Sequence, residues 1–198
     1  MIFMKPIIQI KHGTLSKSVR KAISMSFTAN TEHRRTYLAA QQVILKKLNL
    51  SPVELKKAIA IEKQSTRLLE AITLIEGGGM INTATALAII KNTKDKIPGY
   101  IERNKTQLSP QNIQALNALQ ANLEKDLTRI DRKRAARLPT ILSPSFLENA
   151  RVINFDELKA VLGTKKFDAY MRAYGRVIKV FVRRGEKLEE LAQKIHWQ

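Results

Sequence analysis

Three Leu, Ser, Pro triplets, at 50–52, 108–110 and 142–144, punctuate a chain whose apolar residues otherwise recur every three or four positions. A serine hydroxyl can accept a hydrogen bond from the free amides of a helix's first turn. Proline at the next position lacks the amide that such a turn leaves unpaired. Each triplet therefore predicts a helix start. At the first, Glu54 stands three residues after Ser51 and completes a capping box. Leu55, Ala58, Ile61, Ser65, Leu68, Ile72 and Ile75 then keep helical spacing. The triplets lie 58 and 34 residues apart with unlike residues after them, so they are not a repeat.

The same reading extends to both sides. A short apolar stretch at 6–10 is a strand candidate, and Val19, Ile23 and Phe27 predict a helix from Ser16. Residues 37–48 read as another helix. Gly77, Gly78 and Gly79 end the helix that begins at Pro52. A small helix is predicted at 81–92, with a break at Pro98 and Gly99. Ile113, Leu116, Leu119, Leu123, Leu127 and Ile130 mark a long helix to about residue 134, stopped by Pro139. Ser143 and Pro144 open a short segment. Asn154, Phe155, Asp156 and Glu157 then read as a second capping box, for a short helix closed by Gly163.

The last stretch admits two readings. Phe167, Met171, Tyr174, Ile178, Phe181, Gly185, Leu188, Ala192 and Ile195 alternate four and three apart, a helical heptad seam. The β-branched run at 177–182 could instead be a strand paired with 6–10. The unbroken spacing favours helix. The fold expected is mainly α, an irregular multi-helix bundle of six to eight helices, with that minor two-stranded sheet as the alternative. Two regions are expected: 1–138, holding a helix-turn-helix-like hairpin at 37–76, and a basic C-terminal region, 139–198.

Charge narrows the function more than the fold does. Thirty-five Lys and Arg against seventeen Asp and Glu give a net +18 on 198 residues. Cut into five consecutive segments, the chain is positive in each, from +2 over 38–76 to +6 over 1–37. Such a field attracts phosphate backbones by releasing their counterions. A hydrophobic content of 44% belongs to a folded protein, not to a basic tail. With no cysteine, disulfides, thiolate catalysis and zinc fingers are excluded. No apolar run reaches the ~18 residues of a membrane span. An acid-free start, with Lys5, Lys11, Lys17, Arg20 and Lys21 before Glu32, shares the acid-poor character of an organelle transit peptide. The expectation is an uncleaved chain, in the cytoplasm or within a virus particle.

The densest candidate surface is 165–184, where Lys165, Lys166, Arg172, Arg176, Lys179, Arg183 and Arg184 face one acid, Asp168. Tyr170 and Tyr174 are interleaved and could stack on bases. In the 37–76 hairpin, Leu48 and Leu50 flank the turn, and Val53, Lys56, Lys57 and Lys63 would lie toward a groove. Leu45 sits where close packing of such a motif wants a small residue, and the second helix is long for a recognition helix. Lys11, Lys17, Arg20 and Lys21, then His33, Arg34 and Arg35, form a third basic patch, read as an arm that folds on binding or as a solvated surface. Gly77, Gly78 and Gly79 lack the spacing and the Gly-Lys-Ser/Thr ending of a nucleotide loop. His12, His33 and His196 have no metal-ligand spacing, and Asp156, Glu157 and Lys159 only superficially echo a nuclease site. These residues predict a non-enzymatic nucleic-acid-binding protein, DNA ahead of RNA, without cofactor or metal. A structural component of a virus or phage particle, with protein partners, is the rival. A ribonuclease built on His12 or His33 with Glu32 as base is third.

Overall fold

The computed structural model of the chain describes residues 31–76, 78–128 and 142–194. These form seven α-helices: α1 (Thr31–Lys46), α2 (Pro52–Glu76), α3 (Thr83–Asn104), α4 (Pro110–Thr128), α5 (Pro144–Leu162), α6 (Thr164–Arg184) and α7 (Leu188–Gln193). Among the described residues there is no strand, so the fold is mainly α. Residues 177–182 continue α6, which removes one partner of the alternative sheet. The strand expected at 6–10, the helix from Ser16 and the basic run at 132–134 lie outside the described residues.

All three Ser-Pro starts are helix starts. Ser51 Oγ accepts from the Glu54 amide at 3.2 Å while Glu54 Oε2 accepts from the Ser51 amide at 2.8 Å, a complete capping box. These bonds hold the Glu54 carboxyl below its ordinary range. Ser109 Oγ accepts from the Asn112 amide, and Ser143 Oγ from the Phe146 amide. Beyond α2, the Gly79 amide bonds back to the Leu74 carbonyl at 2.7 Å.

The chain divides into two compact units. Of the described residues, one holds 74–157 and the other holds 31–73 with 158–194; the boundaries fall inside α2 and α5. In the first unit α3 packs on α4 around Ile89, Ile90, Ile97, Leu116 and Leu123. Two expectations fail here. α3 does not break at Pro98 and Gly99 but runs through them. Proline removes one backbone hydrogen bond, at a cost of about 3 kcal/mol. The helix is carried past it by the complete burial of Ile97 and Tyr100 and by bonds that its last turn makes to α5. Arg103 Nε and Asn104 Nδ2 donate to the two oxygens of Asp156, at 2.8 and 2.9 Å.

The second failed expectation is the capping box at 154–157, which lies inside an uninterrupted α5. Its polar side chains turn away from the local backbone toward α3. Lys96 Nζ donates to Asn154 Oδ1 at 2.6 Å and pairs with Glu157 Oε2 at 2.5 Å. Long-range partners therefore displaced the local cap.

In the second unit α7 packs on α1 and α6, and α1 packs on α6. Tyr37 meets Phe181 edge-on at 6.2 Å. Ile44, Leu45, Ile61, Leu68, Phe167, Tyr170, Ile178, Leu188 and Ala192 are buried. The heptad seam is cut at Gly185, whose φ of 66° ends α6 in a left-handed cap, with its amide on the Phe181 carbonyl. Leu188 and Ala192 thus reach the core from the separate α7. Lys47 Nζ reaches the free carbonyls of α7, at 3.1 Å from Ala192 O and 2.5 Å from Gln193 O. Thr66 Oγ1 lies 3.1 Å from Gln41 Oε1, joining α1 to α2 inside the unit.

Two measurements check this packing. Lys47→Met leaves the α7 carbonyls without their charged donor and should lower unfolding stability by about 1–2 kcal/mol in a denaturant titration. An unchanged midpoint would show that the contact contributes nothing. The Tyr100 hydroxyl is buried without a hydrogen-bond partner. Burial, with the charge of Asp156 second, pushes its pKa up from 10.0 to about 12. An unfolded tyrosine ionises near pH 10, so the folded state is favoured below that pH and loses about 1.4 kcal/mol per unit above it, up to the folded value. Tyr100→Phe should be neutral or stabilising at pH 7 and should raise the unfolding temperature relative to the parent at pH 11.

Candidate nucleic-acid interface

α6 is the most strongly two-faced helix of the fold, and its sequence dictates this. Phe167, Tyr170, Ala173, Tyr174, Val177 and Ile178 recur at three- and four-residue steps and are all buried. Lys165, Arg172, Arg176, Lys179 and Arg183 recur at steps of seven, four, three and four, and are all exposed. At 3.6 residues per turn these five lie within about 40° of one line along the helix, spread over ~27 Å. Once the apolar stripe enters the core, the cations have no other place than the opposite surface.

None of the five forms an ion pair among the described residues. Lys166 and Arg184 flank the row. Lys166 Nζ donates to the Asn49 carbonyl at 3.2 Å, which ties the start of α6 to the turn between α1 and α2. Asn49 adopts φ 52°, a left-handed turn conformation that its short polar side chain tolerates. Arg184 stands 3.7 Å from Glu186. α6 opens on Gly163, at φ 74°, and has no acid in its first turn.

The tyrosines do not belong to this surface. Tyr170 is 0% exposed; its hydroxyl donates to the buried Glu62 carboxylate of α2, and its ring stacks on Tyr174 at 6.0 Å. Burial first, and the Glu62 charge second, raise its pKa well above the tyrosine range. Tyr170 therefore anchors the core, and the base-stacking platform expected from Tyr170 and Tyr174 is absent.

On α2, Lys56, Lys57 and Lys63 are exposed, as is Val53 at 64%. The expectation omitted Arg67, which lies one helical turn beyond Lys63 on the same face and is half-exposed. Its i+4 spacing from Lys63 was the available signal. Arg35 is exposed on α1; the Arg34 side chain lies outside the described residues.

Among the described residues the surplus charge is concentrated in one of the two units. The described residues of the unit 74–157 carry seven Lys and Arg against eight Asp and Glu. Those of the other unit carry eighteen against eight, a net +10. Most of the described cations of the unit 74–157 have a carboxylate beside them. Lys94 pairs with Glu124 at 2.7 Å and with Asp95, and these bonds raise its pKa. Lys96, Arg103, Lys105 and Arg151 have Glu157, Asp156, Glu102 and Glu148. Among the described residues no cluster of three or more His, Cys, Asp or Glu could hold a metal, and no helix is long and apolar enough to cross a membrane.

No protein-family model, no curated protein and no solved structure matches this chain.

Proposed function

We propose that the protein is a non-enzymatic nucleic-acid-binding protein, DNA ahead of RNA, that holds its ligand by neutralising phosphates with the outward row of α6. The observation that supports this most directly is the line of Lys165, Arg172, Arg176, Lys179 and Arg183, which forms no ion pair among the described residues, on the unit that carries most of their surplus charge. Phosphate oxygens are met by such side chains without reference to sequence. Lys56, Lys57, Lys63 and Arg35 add further cations on the same unit. A lipid surface fits less well, because the apolar face of α6 that would have to insert is already buried in the core. Such a protein works in the cytoplasm or inside a particle filled with nucleic acid.

A salt-titrated binding measurement tests the reading. Affinity for a labelled DNA duplex should fall steeply with salt. Changing Arg172, Arg176 and Lys179 together to Gln should weaken binding at least tenfold and flatten the log–log salt slope by about 2.7. Lys91→Gln with Lys125→Gln, exposed cations of the unit 74–157, should leave affinity within twofold. Affinity that is flat in salt, or equal losses from both sets of changes, would overturn the proposal.

A further inference from the structure

Resting on that reading, we infer that the occupant of the α6 face is duplex DNA held by its backbone alone, in preference to a single strand or an RNA duplex. Three observations on the same face carry this.

The first is the absence of a stacking surface. Proteins that grip single strands do so largely by stacking exposed bases on aromatic rings. The aromatic side chains of α6 point the other way: Phe167, Tyr170 and Tyr174 are buried, and Phe181 packs on Tyr37. A single strand would meet cations and the partly exposed Asp168 there, and no aromatic ring.

The second is the lack of neutral hydrogen-bonding side chains. From 165 to 184 the sequence contains no Ser, Thr, Asn or Gln. Duplex RNA is recognised across a shallow minor groove through its 2′-hydroxyls, and its major groove is too narrow and deep for side chains to read. Along the row from Lys165 to Arg183 no exposed neutral side chain can meet those hydroxyls as both donor and acceptor. The same lack removes the amide groups that most often read adenine, and the arginines of the row are assigned to phosphates, which they meet without regard to sequence.

The third is the rigidity and shape of the row. Arg172, Arg176, Lys179 and Arg183 fall within ~17 Å on a helix locked by its own buried face. Lys166 and Arg184, eighteen residues apart, both lie to one side of that row. The B-form major groove is about 12 Å wide, close to the diameter of one helix, and phosphates flank it on both sides. A straight array of cations is already ordered for a stiff linear polyanion and gains less from a flexible one, which must itself be ordered on binding.

The test compares a 20-base-pair DNA duplex, one of its strands and the RNA duplex of the same sequence by fluorescence anisotropy. The full chain is used at one salt concentration. The DNA duplex is expected to bind at least fivefold tighter than either competitor, and a scrambled DNA duplex within twofold of the original. Arg172→Gln, Arg176→Gln and Arg183→Gln together should abolish that preference while the circular dichroism spectrum stays unchanged. Equal or tighter binding of the single strand or the RNA duplex, still lost in the triple variant, would overturn this inference and leave the phosphate-binding face standing. No binding of any of the three would overturn both.

Discussion

The burial of one face of α6 is the constraint on which the surface of this protein depends. Six inward positions, from Phe167 to Ile178, are packed in the core, and their helical phase fixes where every other residue of α6 points. The cations are presented outward by a rigid backbone, not by mobile arms. At the far end, the Tyr170 hydroxyl on Glu62 fixes the rotation of α6 against α2. Truncating either member of such a pair would strand a buried polar group at a cost of about 1–3 kcal/mol. The geometry of the charged face and the integrity of the core are therefore one problem.

The two units solve their electrostatics differently. In the unit 74–157, α3 and α5 are joined by Lys96 with Asn154 and Glu157, and by Arg103 and Asn104 with Asp156. These bonds specify which turn of α3 faces which turn of α5, in a way that aliphatic contacts alone do not. In the basic unit the charged groups nearest the core are spent on caps: Lys47 on α7 and Lys166 on the Asn49 carbonyl. Around α7, Arg184 and Lys194 share Glu186 and Lys187 has Glu190, whereas Lys165, Arg172, Arg176, Lys179 and Arg183 form no ion pair among the described residues.

Local signals in the sequence were legible, and long-range ones were not. Ser51 and Glu54 act on amides three residues away, so their capping box needs no tertiary information. The α6 helix was readable over a competing β-branched run because its four-and-three spacing never lapsed. Pro98 was misread because the contacts that carry α3 past it come from α5, some fifty residues on. Asn154, Asp156 and Glu157 were misread for the mirror-image reason. Tyr170 was placed on the wrong side because a tyrosine between lysines reads alike whether it faces in or out; Glu62, 108 residues away, decides it. The charge asymmetry was invisible because the basic unit is assembled from two separated stretches of chain.

That asymmetry has a mechanical consequence. Among the described residues, mutual repulsion among like charges is greater within 31–73 and 158–194, which carry a net +10, than within 74–157. In dilute buffer the amides of α6 and α7 should therefore exchange with solvent sooner than those of α3 and α4. Added electrolyte, or a bound polyanion, should slow them selectively. A ligand of this kind would act as a tensioner, tightening the part of the molecule that its absence leaves slack.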